Sequence, residues 1–206
     1  MTSYRTAQQF LAKADPVMGR LIKKIGSCRL EPQRARQPFE SLVRAVAHQQ
    51  IHGKAAEAIL GRFVALYPGK FPKPEAILDT ETTTLRGCGF SASKITAIYD
   101  IAAHTRAGTV PSLARIRKMP DDEIIRRLVQ IRGVGRWTVE MLLIFQLGRP
   151  DILPVDDFGV RNGFRIAYKL DSMPKPRVVL EHGARWRPYR TIASWYLWRA
   201  ADVSKT

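Results

Sequence analysis

The chain has 206 residues, 45% of them hydrophobic, which is enough for one or two domains with a real core. Its 34 Lys and Arg against 18 Asp and Glu give a net charge of +16. Such an excess favours a nucleic acid as partner, although ribosomes and anionic lipids stay open at this point. No apolar run approaches the roughly 18 residues of a membrane span, and MTSYRTAQQF lacks the apolar region of a signal peptide. We therefore expect a cytoplasmic, nucleoid-associated protein that does not enter membranes.

Helical periodicity recurs along the chain and strand alternation is almost absent, so the sequence predicts an all-α fold. In the first third, helices are predicted over 4–14, 16–25, 38–51 and 52–69, with a Pro-punctuated connector between the second and the third. Short helical pieces near 74–79 and 82–86 follow. The next helix lies within 87–108, and either Ser91 or Ser93 is its expected N-cap.

The clearest helix start is MPDDEIIRRLVQIRG, residues 119–133, where a proline and three acids occupy the first turn. The very apolar segment 135–148 predicts a helix central to the core. The remaining predicted elements are a helical stretch within 153–169, a Pro-rich connector at 173–177 and a last helix over 188–201.

The stretch IRGVGRWTVEML places Gly133 and Gly135 around Val134, between two amphipathic helices. Glycine allows a positive φ and lets another object approach the backbone closely. The N–H groups of Val134, Gly135 and Arg136 would open the second helix, and a helix N-terminus suits a phosphate. A phosphate clamp and a plain tight turn between helices both stay open, because this motif alone is weak.

Two segments together resemble the helix–hairpin–helix DNA glycosylases, namely LVQIRGVGRWTVEML and the following LPVDDFGVR. The resemblance is nearest to the alkylation-repair branch, of the 3-methyladenine DNA glycosylase II type. PFESLVRAVAHQQI, GFSASKITAIYDIA and RWRPYRTIASWYLWR extend it over about residues 35–200. The hairpin differs from the usual family pattern by having Arg132 where a proline is common.

The resemblance implies a single glycosylase unit, folded as a two-lobed helical bundle with the active site in the cleft between the lobes. Lobe one would comprise 1–34 plus 150–206. Lobe two would comprise 35–149 and include the hairpin at 124–147. Such a protein is expected to act as a monomer.

The same resemblance assigns the catalytic carboxylate to Asp157. A carboxylate beside a breaking N-glycosidic bond stabilises the oxocarbenium-like sugar and can orient or deprotonate the attacking water. One carboxylate suffices because an alkylated purine is cationic and leaves readily. Asp156 would cap the helix or support Asp157. The alternative is that both acids are only helix caps.

Trp137 stands where strand-cleaving relatives carry a lysine that forms a Schiff base. The resemblance therefore implies an enzyme without lyase activity, which leaves an abasic site. It also implies that Trp137, Met141 and Trp198 line the base pocket, where a cationic base gains about 0.5–2 kcal/mol from an aromatic face. Core packing is the alternative for each. Cys28 and Cys88 are expected to be free thiols, too few for the iron–sulfur cluster of those relatives.

Such chemistry requires the nucleotide to leave the base stack. The resemblance places the intercalating residue at Gln50, with Ile51 and His52 beside it. The alternative is that this segment merely ends a helix. Lys54, at the start of the next helix, could meet a phosphate.

The resemblance further implies that the hairpin holds Na⁺ or K⁺ through the main-chain carbonyls of Val129, Ile131 and Val134. That cation would face a DNA phosphate together with the backbone of residues 133–136 (Gly133, Val134, Gly135, Arg136). The bond-breaking chemistry itself would need no cofactor.

The sequence as a whole predicts a monofunctional DNA N-glycosylase that excises 3-methyladenine and 7-methylguanine from double-stranded DNA. Two alternatives stay open. One is a helix–hairpin–helix module that binds DNA without catalysis. The other is a glycosylase for neutral lesions such as hypoxanthine or ethenoadenine.

Overall fold

The computed structural model describes residues 4–51 and 53–203. This part of the chain contains helices and no strand, which confirms the predicted all-α class. The α-helices are α1 (Tyr4–Ala14), α2 (Pro16–Ile25), α3 (Pro38–His48), α4 (Gly53–Ala65), α5 (Pro74–Leu78), α6 (Thr82–Gly87), α7 (Ala92–Arg106), α8 (Leu113–Ile116), α9 (Asp121–Leu128), α10 (Arg136–Leu142), α11 (Phe158–Ala167), α12 (Pro176–His182) and α13 (Arg190–Val203). A π-helical turn, Leu143–Leu147, continues α10, and a 3₁₀ turn, Gly183–Trp186, follows α12. Over the residues described, no helix is long and apolar enough to cross a membrane.

Several sequence-based element boundaries were wrong. The fourth helix, predicted over 52–69, begins at Gly53 and ends at Ala65. The third helix ends at His48 and not at residue 51, and the last begins at Arg190 and not at 188. The short helix α8 was not predicted. The predicted connector at 173–177 ends at Lys175, because α12 begins at Pro176, which occupies the first helical position, where a missing N–H costs nothing.

The chain divides into two compact units, Met1–Pro32 with Gly148–Thr206 and Gln33–Leu147. In the first unit, α11 packs closely along α13, and α1 and α2 also pack against α13. Its core includes the fully buried side chains of Leu11, Met18 and Tyr196.

Asp15 joins four segments of the first unit through one buried carboxylate. Its Oδ1 accepts the N–H of Val17 at 2.9 Å and caps α2. Its Oδ2 accepts hydrogen bonds from the Tyr168 hydroxyl and the Trp186 indole, and His182 Nε2 lies 2.9 Å away. Burial alone raises the pKa of Asp15, but the hydrogen bonds from these three side chains and the backbone outweigh it and lower the pKa to about 2. The carboxylate therefore stays ionised and the junction intact at neutral pH.

The second unit contains α3 to α10 and the π-helical turn. In it α3 packs against α4, α7 and α10, while α7 also covers α5 and α6. Ser91 is the N-cap of α7, one of the two caps that the sequence allowed. The apolar helix α10 contributes the buried side chains of Val139 and Leu142, as expected for a central helix.

Candidate active site

The hairpin of the second unit connects α9 to α10 through residues 129–135. The N–H of Ile131 donates to the carbonyl of Leu128 at 3.2 Å, and the N–H of Val134 donates to the carbonyl of Ile131 at 3.0 Å. The Val134 side chain is 3% exposed. The buried Val134 therefore stabilises the turn. Its N–H, one of the predicted phosphate donors, already donates to the carbonyl of Ile131.

Gly133 and Gly135 of the hairpin are glycines for different structural reasons. Gly133 has φ +77°, and a Cβ at this position would lie 2.5 Å from the Cβ of Ala97. Gly135 is the N-cap of α10, with an ordinary φ of −83°, and a Cβ there would meet nothing within 4 Å. Gly133 is therefore required by the fold, whereas the space beside Gly135 is open to a ligand.

The turn after α3 carries the predicted intercalating residues. Gln50 is exposed and has φ +56°, which is uncommon for a residue other than glycine. Ile51 is 37% exposed, a large apolar side chain at the surface. His52, their expected neighbour, lies outside the described residues.

Gln49 ties this turn to the hairpin, a role that the sequence did not reveal. Its amide Nε2 donates to the carbonyl of Gly133 at 3.0 Å and to Thr138 Oγ1 at 3.1 Å. Both hydrogens of one amide are thus used on the hairpin and on α10. The two bonds connect the turn that carries Gln50 to the hairpin.

Two of the basic residues predicted to meet phosphates lie at helix starts. Arg136, the first residue of α10, keeps 62% of its side chain exposed, and its Nε lies 2.9 Å from Glu140 Oε1. Glu140 is buried, so it orients the guanidinium while leaving it accessible. Lys54 is exposed in the first turn of α4.

The second unit contains a cavity of about 460 Å³. Trp137 and Met141, one helical turn apart on α10, both line it, together with Leu142 and Phe145. Trp137 and Met141 are half-buried. Two of the three predicted base-pocket residues therefore share one cavity wall, with aromatic and thioether surface available to a flat ligand.

The third pocket residue, Trp198, belongs to the first unit and contacts Asp157. Its indole Nε1 donates to Asp157 Oδ1 at 2.7 Å. The same oxygen accepts the N–H of Val160 at 2.7 Å and caps α11. The N-cap of α11 is thus Asp157 and not Asp156, which is exposed. Capping and indole contact together hold the Asp157 carboxylate in one orientation.

The close approach of α11 and α13 produces this contact. A Cβ on Gly163 would lie 1.9 Å from the carbonyl oxygen of Leu197, and one on Gly159 would lie 2.8 Å from Trp198 Cδ1. Two glycines on one face of α11 therefore allow α13 to place Trp198 beside Asp157.

The predicted cation ligands are main-chain carbonyls of one short turn, with Val129 at the end of α9 and Val134 bonded to Ile131. The Ile131 carbonyl keeps a second lone pair, and neutral oxygen donors suit Na⁺ or K⁺, so the donor chemistry is compatible with that prediction. Among the described residues, no group of three or more His, Cys, Asp or Glu side chains could hold a metal. Cys28 and Cys88 are buried free thiols, and burial raises the pKa of Cys28 to about 11.

Comparison with known proteins shows which proteins this chain is similar to. Residues 43–188 match the family described as HhH-GPD superfamily base excision DNA repair protein. DNA-3-methyladenine glycosylase 1 of Schizosaccharomyces pombe is 43% identical, over 99% of this chain and 90% of the relative. The alkylbase DNA glycosidase-like protein mag2 of the same organism is 36% identical, over 99% of this chain and 97% of the relative.

A solved structure also matches. The 3-methyladenine DNA glycosylase (Mag1) of Schizosaccharomyces pombe, in complex with abasic DNA, superimposes with a TM-score of 0.90 at 43% identity. The match covers 98% of this chain and 97% of that one. These findings confirm the family resemblance inferred from the hairpin and aspartate segments.

Proposed function

Because this chain belongs to the HhH-GPD superfamily of base excision DNA repair proteins, we propose that it is a monofunctional DNA N-glycosylase for alkylated, cationic purines. Its substrates are 3-methyladenine and 7-methylguanine in double-stranded DNA, and its product is an abasic site. The relative named for 3-methyladenine, 43% identical over almost the whole chain, supports this choice of lesion. The enzyme works as a monomer on DNA, in the cytoplasmic nucleoid.

The observation that carries the proposal is the carboxylate of Asp157, held by an indole and by the start of α11. Breaking the bond between C1′ of the sugar and the base nitrogen sends the electron pair to the purine and neutralises its positive charge. The sugar becomes oxocarbenium-like, and a nearby carboxylate stabilises that charge. Water then adds to C1′, and Asp157 accepts its proton.

Trp137 supports both the choice of lesion and the outcome of the reaction. Its ring lines the cavity of the second unit beside Met141. A cationic base stacked on an electron-rich ring gains cation–π energy that a neutral base does not gain. An indole has no nucleophilic amine, so the side chain cannot form the Schiff base that strand cleavage requires.

The hairpin and the neighbouring turn supply the grip on DNA. Gly135 and Arg136 at the start of α10, with Lys54, meet phosphates, and Gln50 and Ile51 fill the space that the flipped nucleotide leaves. The exposure of Gln50, Ile51 and Arg136 supports these roles. Na⁺ or K⁺ at the hairpin carbonyls would add a positive charge facing a phosphate.

The proposal is tested by release of free bases from methylated duplex DNA, with Asp157→Asn and Asp156→Asn beside the wild type. Asparagine is also a good N-cap, so Asp157→Asn keeps the start of α11. We expect it to bind DNA and to release base at least about 100-fold more slowly, the scale of losing one preorganised charge-stabilising group. Asp156→Asn should remain near the wild-type rate.

The other outcomes distinguish the alternatives. A wild-type protein that binds DNA but frees no base from methylated or deaminated duplexes is a binding module. Faster release of hypoxanthine or ethenoadenine than of methylated purines identifies a glycosylase for neutral lesions. Equal rates for both Asp variants remove Asp157 from the chemistry.

A further inference from the structure

Gln146 lines the cavity of the second unit from a π-helical turn. It follows Trp137 by nine residues, and an α-helix turns about 100° per residue, so the two side chains would point about 180° apart. Leu143–Leu147 instead forms a π-helical turn, which takes more residues per turn. Gln146, within this wider turn, lines the same cavity as Trp137 and Met141.

The amide of Gln146 is buried, and its acceptor is unused. The residue is 2% exposed, and its Nε2 donates to the main-chain carbonyl of Arg36 at 2.6 Å. Its Oε1 is buried and accepts no hydrogen bond from any residue that the structure describes. Leaving such an acceptor unpaired costs about 1–3 kcal/mol, so a ligand that brings an N–H group would recover this loss if the amide turned its oxygen toward the cavity.

A second polar atom among the lining residues is also buried and without a hydrogen-bond partner. Ser41, on α3, lines the cavity, and its Oγ is buried without a hydrogen-bond partner within the described part of the chain. Trp137, Met141 and Leu142 supply apolar surface around these atoms. An apolar pocket with a few unpaired polar atoms is suited to orienting a heterocyclic ligand.

We propose that Gln146 is a specificity-determining residue, whose Oε1 accepts an N–H from the Watson–Crick edge of the flipped base. This inference rests on the proposed function, since it takes the cavity as the base pocket. 3-Methyladenine and 7-methylguanine carry amino N–H groups on that edge. In 1,N⁶-ethenoadenine the etheno bridge replaces them, so the acceptor stays unpaired and the site disfavours this base.

Two variants separate this role from a structural one. Gln146→Met keeps the length of the side chain and removes the acceptor, whereas Gln146→Glu keeps acceptor oxygens. Both lose the bond to the Arg36 carbonyl, and Glu also places a buried charge beside that oxygen, so a purely structural role predicts a loss in Gln146→Glu at least as large as in Gln146→Met. The measurement is single-turnover release of 7-methylguanine and of ethenoadenine from otherwise identical duplexes, with the melting temperature of each variant recorded.

We expect Gln146→Met to release 7-methylguanine about 10-fold more slowly than the wild type, and Gln146→Glu to be several-fold faster than Gln146→Met. Ethenoadenine release by Gln146→Met should equal or exceed the wild-type rate. Equal losses in both variants, parallel losses on both lesions, or no loss in Gln146→Met would overturn the role of Gln146 and leave the glycosylase proposal intact. A wild type that releases no base at all would reject the proposed function, and this inference with it.

Discussion

The hairpin of the second unit and the α11–α13 pair of the first unit use glycine in different ways. Gly133 takes a backbone conformation that other residues avoid, and Gly135 leaves open space in front of a helix start. Gly163 lies within α11, where its missing side chain allows α13 to rest on the helix backbone. The hairpin therefore needs glycine to form its turn and to leave space for a ligand. The α11–α13 pair needs glycine for close packing between helices.

The largest effect is expected from Gly163→Ala, which tests the packing side of the comparison. Alanine raises helix propensity by up to about 1 kcal/mol, but its Cβ would lie 1.9 Å from the main-chain oxygen of Leu197. We expect a net loss of about 3 kcal/mol in the free energy of unfolding, because backbone cannot move aside as a side chain can. Urea denaturation measures it.

Gly61→Ala is the matched control, since Gly61 lies within α4 and an added Cβ would meet nothing within 4 Å. This variant should be more stable than the wild type by about 0.5–1 kcal/mol. If Gly163→Ala behaves like Gly61→Ala, close packing of α11 on α13 is not what selects glycine there.

A smaller loss of stability is expected at the hairpin. There, substitution of one glycine should affect the fold, and substitution of the other should affect DNA binding. Gly133→Ala combines a left-handed backbone with a clash against Ala97, and should cost about 2 kcal/mol of stability. Gly135→Ala should change stability by less than about 1 kcal/mol, yet weaken binding to an abasic duplex several-fold by blocking a phosphate. Urea denaturation and fluorescence anisotropy measure the two properties. Wild-type DNA affinity in Gly135→Ala would show that no ligand uses the open side of the hairpin.

The hairpin could be predicted because its signal is local, with two glycines between amphipathic helices. Helix starts marked by Pro16, Ser91 and Asp121 were likewise predictable, since caps and prolines act over a single turn. The all-α class followed from periodicity. The choice of Asp157 over Asp156 came from the family resemblance, because the two acids are adjacent and chemically identical.

The remaining features depend on residues far apart in the chain, so no local pattern predicts them. Asp15 meets Tyr168, 153 positions away, and Gln49 meets Gly133, 84 positions away. The π-helical turn that carries Gln146 interrupts an apolar segment whose periodicity predicted an uninterrupted helix. A long-range hydrogen bond holds this turn, because the N–H of Gln33 donates to the carbonyl of Phe145 at 2.7 Å.

The smallest effect is expected from Gln49→Leu, which tests whether the hairpin positions the turn that carries Gln50. The variant loses two neutral hydrogen bonds, to Gly133 and to Thr138, and should lose about 1 kcal/mol of stability. Its functional consequence should be larger than that loss suggests, because Gln50, the next residue, has a left-handed backbone that we expect these bonds to support. We expect base release in single turnover to slow by about fivefold.

Gln9→Leu, an exposed substitution on α1, controls for the added apolar surface. It should leave both stability and base release near wild type. If Gln49→Leu loses stability but flips and releases bases at the wild-type rate, the two hydrogen bonds serve only the fold. The opposite outcome is base release by Gln49→Leu that stays slow under conditions where the variant is fully folded. That result makes Gln49 a positioning residue, through which the hairpin and the turn act on DNA as one surface.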